Sequence, residues 1–251
     1  MNTLAKTSTP ATSRVGPIVG IWAVFVLGTV IWTAGSLVQA QAAPSLSAEE
    51  VLSRVQSFYD QTTTVQARFR QSYYLKLYDR RESSTGRVVF SKPGKMRWDY
   101  DSPNGKVIVS DGDRLLVYEP PAEGESEGQG FESRVDQNEL PSAFSFLTGA
   151  GRLGEQFRAR LLDAETSGFT EGYALELRPR EVSPHYDRLV FYVRMVSGEG
   201  ETEAGVVQRV LIIDAAGNRN RFDFAELRFN RNVPSSTFAY RFPSGTRRIR
   251  P

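Results

Sequence analysis

The chain has 251 residues, of which 40% are apolar and 24% charged, and it contains no cysteine. That length suits one domain of up to about 250 residues or two small ones. The missing cysteines exclude disulfides, zinc–cysteine sites, iron–sulfur clusters, thiol catalysis and lipid attachment at cysteine. The formal net charge of +2 is too small for a strongly basic nucleic-acid binder, so no nucleic-acid partner is expected.

Lys6 and Arg14 precede an apolar run, Ile18 to Trp32, and small residues follow in Val38-Gln39-Ala40 and Ala40-Gln41-Ala42. This order predicts a cleaved secretory signal peptide over residues 1–42, cut after Ala42 or Ala40, and a single mature domain over 43–251. Val15 to Val38 is also long enough to cross a bilayer of about 30 Å as an uncleaved anchor. The next cation is Arg54, and without a basic cluster behind the apolar run cleavage is the favoured reading. Removing Lys6 and Arg14 leaves a formally neutral mature chain with 29 charges of each sign.

The first predicted helix starts at Ser47, an N-cap with Glu50 at N3, and Leu46 and Val51 can staple it. Val51, Leu52, Val55, Phe58 and Tyr59 then share one helical face. Period-2 alternation predicts strands at Val65–Tyr78, Thr85–Ser91, Lys95–Tyr100, Lys106–Ser110, Arg114–Tyr118 and Gly130–Val135. Pro120 to Gly130 reads as a flexible acidic loop extending a hairpin, and so does Ser197 to Gly205. A second helical stretch lies in Leu140–Phe157, where Phe144, Leu147 and Phe146 cluster and glycines stop the helix near Thr148. Further strands are predicted at Phe157–Leu162, Tyr173–Arg178, Arg188–Val196, Val206–Asp214, Arg219–Phe229 and Thr237–Phe242. Turns fall at Pro93-Gly94, Asn104-Gly105, Asp111-Gly112 and Gly217-Asn218. A mainly β chain with a few helices follows, built as one curved antiparallel sheet or barrel with helices against one opening.

Three motifs imitate chemistry. Gly149-Ala150-Gly151-Arg152-Leu153-Gly154 matches G-x-G-x-x-G, but a helix precedes it and an alternating strand follows, so it reads as a glycine-rich helix exit. Asp111-Gly112-Asp113 lacks the further oxygen ligands of a calcium loop and reads as a hairpin turn. His185 is the single histidine, in a polar loop, and a lone imidazole builds no histidine-based metal site. No G-x-S-x-G serine accompanies it, and no paired carboxylates stand out. No catalytic residue, metal or cofactor is assigned, and binding is favoured over catalysis.

In Phe90 to Pro103, Met96, Trp98 and Tyr100 alternate with Arg97 and Asp99, giving a strand with one apolar and one wet face. Taken alone, that face favours a sealed core over a ligand surface, and the same holds for Val107/Val109 and Leu116/Tyr118. The surrounding sequence, however, resembles the LolA family of periplasmic lipoprotein carriers. The matching pieces are Lys92-Pro93-Gly94, Met96 to Tyr100, Val109-Ser110-Asp111-Gly112 and Tyr118-Glu119-Pro120. Leu140–Phe157 resembles the family's central helix, and Val233–Thr246 resembles its C-terminal strand and F-x-x-P-x-G ending.

The resemblance implies an unclosed antiparallel β-barrel with a helical lid over a hydrophobic cavity. Met96, Trp98, Tyr100, Val107, Val109, Leu116, Tyr118, Phe144 and Leu147 would line the cavity for acyl chains. The family usually carries arginine where Lys92 stands, and that arginine contacts the lid. Lysine keeps the charge without the planar fork of five donors, so Lys92 is the expected lid contact; a plain surface turn is the alternative. The implied partners are acylated lipoproteins, an inner-membrane ABC-type lipoprotein-release complex and an outer-membrane LolB-like receptor, with a monomeric carrier in the periplasm. A LolA-like carrier of another amphiphile such as a glycolipid, a lipoprotein-sensing regulator of the same fold, and a secreted lipid hydrolase remain as alternatives.

Overall fold

The computed structural model describes residues 46–135, 144–149, 151–197 and 203–249. The expected signal peptide, residues 140–143 of the second helical stretch and residues 198–202 of the second acidic loop lie outside the described residues. Within the described residues no helix is long and apolar enough to cross a membrane.

Helix α1, Ala48–Gln61, begins where its cap dictates. The Ser47 hydroxyl accepts the Glu50 N–H at 3.2 Å, and the Glu50 carboxylate accepts the Ser47 N–H at 2.7 Å. Its apolar face, Val51, Leu52, Val55 and Tyr59, is buried. The chain then enters β1 (Thr64–Leu75), β2 (Arg80–Ser91), β3 (Lys95–Tyr100), β4 (Val107–Asp111), β5 (Arg114–Glu119) and β6 (Gln129–Arg134). Two one-turn helices follow, α2 (Ser145–Thr148) and α3 (Leu153–Gln156). The second half comprises β7 (Phe157–Leu162), α4 (Ala164–Ser167), β8 (Tyr173–Pro179), β9 (Arg188–Val196), β10 (Ala204–Ile213), β11 (Arg219–Phe229) and β12 (Arg247–Ile249).

These strands form one sheet in the order β12-β6-β5-β4-β3-β2-β1-β11-β10-β9-β8-β7. Neighbours are antiparallel except β12 and β6, which run parallel. The two ends, β12 and β7, do not pair, so the curved sheet stays open, as expected of an unclosed barrel. Helix α1 packs on the inner face against β10. The backbones meet at Gly205, where a Cβ would stand 2.9 Å from Val55 Cγ2 and 3.0 Å from the Val55 nitrogen, so only glycine admits the helix at this depth.

The first eleven strands occur where alternation places them, except that β1 ends at Leu75 and Lys76–Tyr78, expected to continue it, forms a 3-10 turn; the other exceptions have physical causes. The predicted strand Thr237–Phe242 is not one. Ser235–Phe238 is a 3-10 turn and the chain then runs over the outer face of the sheet. Pro234 and Pro243 flank it and lack the N–H a ladder needs. The final strand is instead Arg247–Ile249. β2 begins five residues before the expected Thr85, because Arg80–Ser84 is polar on both sides and carries no period to read. Helix α4 has no apolar face; Asp163 caps it by accepting the Thr166 N–H at 2.8 Å.

Candidate functional site

The inner face of the sheet is an aromatic wall. Cross-strand pairing sets Phe90 opposite Met96 and Val88 opposite Trp98, and all four are buried. The Trp98 ring lies 4.9 Å from Phe69, 5.7 Å from Phe90 and 5.4 Å from Phe222. Tyr100 continues the same face, 4.9 Å from Phe69, and burial pushes its hydroxyl pKa up to about 12. Edge-to-face and offset rings at these separations pack favourably beyond the area they bury.

Three side chains around α2 press into this wall. Phe144 is 4% exposed, 5.3 Å from both Trp98 and Phe222. Phe146 is 2% exposed, 4.8 Å from Tyr59 of α1 and 5.0 Å from Phe191 of β9. Leu147 is buried beside them. The expected open cavity is therefore closed by the chain's own residues. A void of about 10 Å³ remains among Tyr59, Val88, Phe90, Phe146, Leu147 and Phe224, room for about one water molecule. An oily concavity in water collapses onto the nearest apolar side chains, and here a short helix supplies them.

Lys92 ties the helices to the sheet. Its ammonium donates to the Tyr59 carbonyl in the last turn of α1, where a cation complements the helix C-terminus. Its methylenes pass over Gly149 at the exit of α2, where a Cβ would stand 3.1 Å from Lys92 Cδ. Burial lowers the Lys92 pKa, and the nearby Asp60 carboxylate partly offsets this. Gly94, two residues on, donates its N–H to the Thr148 carbonyl at 3.1 Å. One turn, Lys92-Pro93-Gly94, thus holds the ends of both α1 and α2.

Four of the nine candidate lining residues face the other way. Register places Ile108 opposite Trp98, so Val107 and Val109 share the outer face with Asp99 and Arg97. Leu116 and Tyr118 lie opposite Val109 and Val107 and are outward too. They are covered by the C-terminal stretch: the Tyr118 ring meets Tyr240 and Phe242 in tilted contacts at 6.3 and 6.5 Å, and Arg97 donates to the Thr237 carbonyl at 3.0 Å. The inward residues on these strands are Ile108, Ser110, Leu115 and Val117, of which Ile108 and Leu115 pack against the main core. Phe69, Phe90, Phe222 and Phe224 were not among the candidates, although Phe222-Asp223-Phe224 has the same alternation as Met96 to Tyr100.

Gly149 and Gly151 adopt positive φ, 82° and 87°, as a helix exit requires. Asp111 caps the β4–β5 turn, accepting the Asp113 and Arg114 N–H groups at 3.0 and 2.8 Å. Among the described residues, no three histidine, cysteine or carboxylate side chains approach closely enough to hold a metal.

The family model for the outer membrane lipoprotein carrier protein LolA matches residues 60–241. An outer-membrane lipoprotein carrier protein of Azotobacter vinelandii is 24% identical over 212 residues, 84% of this chain and 93% of that one. A carrier protein of the same name from Chromobacterium violaceum is 26% identical over 214 residues, 85% of this chain and 93% of that one. A LolA superfamily structure from Nitrosomonas europaea is 14% identical, with a TM-score of 0.41 over 78% of this chain and 99% of that one.

Proposed function

The chain belongs to the LolA family of outer membrane lipoprotein carriers, and from that premise we propose that it shelters the acyl chains of lipoproteins in the periplasm and hands them to an outer-membrane receptor. The observation that carries this reading is the plug. Phe144, Phe146 and Leu147 occupy the aromatic wall from a one-turn helix whose exit is Gly149. Moving that helix uncovers Trp98, Phe90 and Phe222, which Phe144 meets, without breaking a strand.

The physics suits a carrier rather than a catalyst. Each exposed CH₂ costs about 0.8 kcal/mol in water, so a chain of about fifteen carbons needs shelter on the order of 10 kcal/mol. Apolar contact is non-directional, and the wall therefore accepts chains of varied length; Met96 adds adaptable packing. Opening the plug consumes part of the binding free energy, which keeps net affinity moderate and release possible. Lys92 stabilises the closed arrangement through α1 and Gly149. The signal peptide over residues 1–42 delivers the chain to the periplasm, where 43–251 acts as a monomer. An ABC-type complex at the inner membrane loads it, since the chain has no P-loop, and a LolB-like lipoprotein receives the cargo.

The test uses spheroplasts bearing a labelled triacylated lipoprotein. Mature protein should release label as a soluble one-to-one complex, and Trp98→Leu, which thins the aromatic wall without burying a charge, should cut release while keeping the wild-type circular dichroism. A folded wild-type protein that releases nothing refutes the proposal.

A further inference from the structure

The β1–β2 hairpin ends in an unusual apex. Turns at strand ends normally use Gly, Asn or Asp. Here the sequence is Tyr74-Leu75-Lys76-Leu77-Tyr78-Asp79, with Lys76–Tyr78 in a 3-10 turn. Leu77 is 84% exposed and Tyr78 73%. Neither belongs to the core or packs against it, so folding does not explain two adjacent large apolar side chains in solvent.

The apex is built rather than loose. The Lys76 N–H donates to Asn218 Oδ1 at 2.9 Å, tying the apex to the β10–β11 turn. The Tyr74 hydroxyl donates to Asp79 Oδ1 at 3.0 Å, and the Arg81 guanidinium lies over the Tyr74 ring at 4.7 Å. It also projects. β3 stops pairing with β2 at Gly86, whereas β2 continues to Arg80; at about 3.4 Å per residue, Arg80–Ser84 extends roughly 17 Å past the β3 ladder.

Charge surrounds the apolar pair. Lys76, Arg80, Arg81 and Arg219 are cations on the hairpin or the adjoining end of β11. The acids beside them are engaged: Asp79 accepts from Tyr74, Glu82 pairs with Arg80 at 2.9 Å, and Asp214 in the β10–β11 turn accepts from Asn218, which leaves the cations in excess. A leucine and a tyrosine at an exposed tip, ringed by lysine and arginine, match the boundary between acyl chains and anionic headgroups. The cations supply charge attraction, Leu77 enters the apolar layer, and Tyr78 sits at the headgroup level with its hydroxyl wet. Glu123, Glu125 and Glu127 lie in the β5–β6 turn at the same end of the sheet, three strands from β2 and set back from the hairpin tip.

We infer that the β1–β2 hairpin tip is a docking site for an anionic lipid bilayer surface, acting through Leu77 and Tyr78 with Lys76, Arg80, Arg81 and Arg219. The inference is independent of what the interior carries.

The experiment is co-sedimentation of the mature protein with phosphatidylcholine vesicles made with and without phosphatidylglycerol. Wild-type protein should pellet with the phosphatidylglycerol vesicles, less so as salt rises. The double variant Leu77→Asp/Tyr78→Asp should lose at least about tenfold in partitioning while keeping the wild-type melting temperature. Leu116→Ala, on the outer face and remote from the tip, should leave partitioning unchanged. A Tyr78→Trp reporter should shift its emission to the blue on the same vesicles. Absence of wild-type binding, equal binding by the double variant, or no reporter shift overturns the inference, and a tip that captures only proteins does so as well.

Discussion

Phe146→Ala separates a plug from a core residue. Phe146 is 2% exposed and meets the rings of Tyr59 and Phe191 at 4.8 and 5.0 Å. Truncating a buried phenylalanine to alanine costs about 3–5 kcal/mol. If α2 withdraws to admit an acyl chain, Phe146 is solvated in the open arrangement, and truncation costs that arrangement little. The full penalty then falls on the closed arrangement and shifts opening by about 3 kcal/mol. At about 1.4 kcal/mol per factor of ten, apparent affinity for an acyl probe tightens by up to about a hundredfold. The assay pairs urea denaturation with titration of a fluorescent triacylated lipopeptide. The expected result is a destabilised protein that binds more tightly. The same loss of stability with unchanged or weaker binding would mean that Phe146 stays put when ligand enters, and the plug mechanism would fail.

Lys92→Met removes the donor to the Tyr59 carbonyl and should cost about 1–2 kcal/mol in urea unfolding while tightening acyl binding; Lys92→Arg should largely preserve both. Leu116→Ala, on the outer face beneath the C-terminal stretch, should cost about 2–3 kcal/mol and leave acyl-probe affinity unchanged. Ser47→Ala should lower stability by about 1 kcal/mol at neutral pH through loss of the α1 cap. The Ser47 backbone N–H and then its hydroxyl hold the Glu50 pKa below the usual glutamate range. That contribution is present above the unfolded glutamate pKa and is lost as pH falls through the folded value. Glu50→Gln should therefore flatten the acid limb of the melting-temperature profile between about pH 5 and pH 3.

Most of the fold was legible because one face of nearly every strand is buried and the other wet. Val65, Ala67 and Phe69 alternate with polar residues, and β1 follows directly. Alternation became silent in Arg80–Ser84, where both faces meet solvent, and misled in Thr237–Phe242. There Phe238 is buried, and Tyr240 and Phe242 pack their rings on the sheet's surface without a ladder beneath them. A period-2 pattern reports which side chains find an apolar neighbour, and it does not distinguish a strand from an extended segment lying on a strand.

The same ambiguity governed the candidate site. In β3 the wet face carries Arg97 and Asp99, so Met96, Trp98 and Tyr100 could be assigned inward from composition alone. β4 and β5 read Val107-Ile108-Val109 and Leu115-Leu116-Val117-Tyr118, apolar on both faces, and a choice of face there has no basis in period. The reason lies about 120 residues downstream: Phe238, Tyr240 and Phe242 return to cover the outer face, so Val109 and Leu116 face a second apolar layer. That long-range partner cannot be seen from β4 or β5, but Arg97 betrays it, since its guanidinium spans both Asp99 and the Thr237 carbonyl. The consequence for a carrier is specific. The outer layer is free to set stability while the inner wall is free to change occupants, so substitutions on the two faces of one strand should separate folding from binding. Ile108→Ala and Val109→Ala, adjacent in β4, form the sharpest pair: both should destabilise, and only the first should alter acyl affinity.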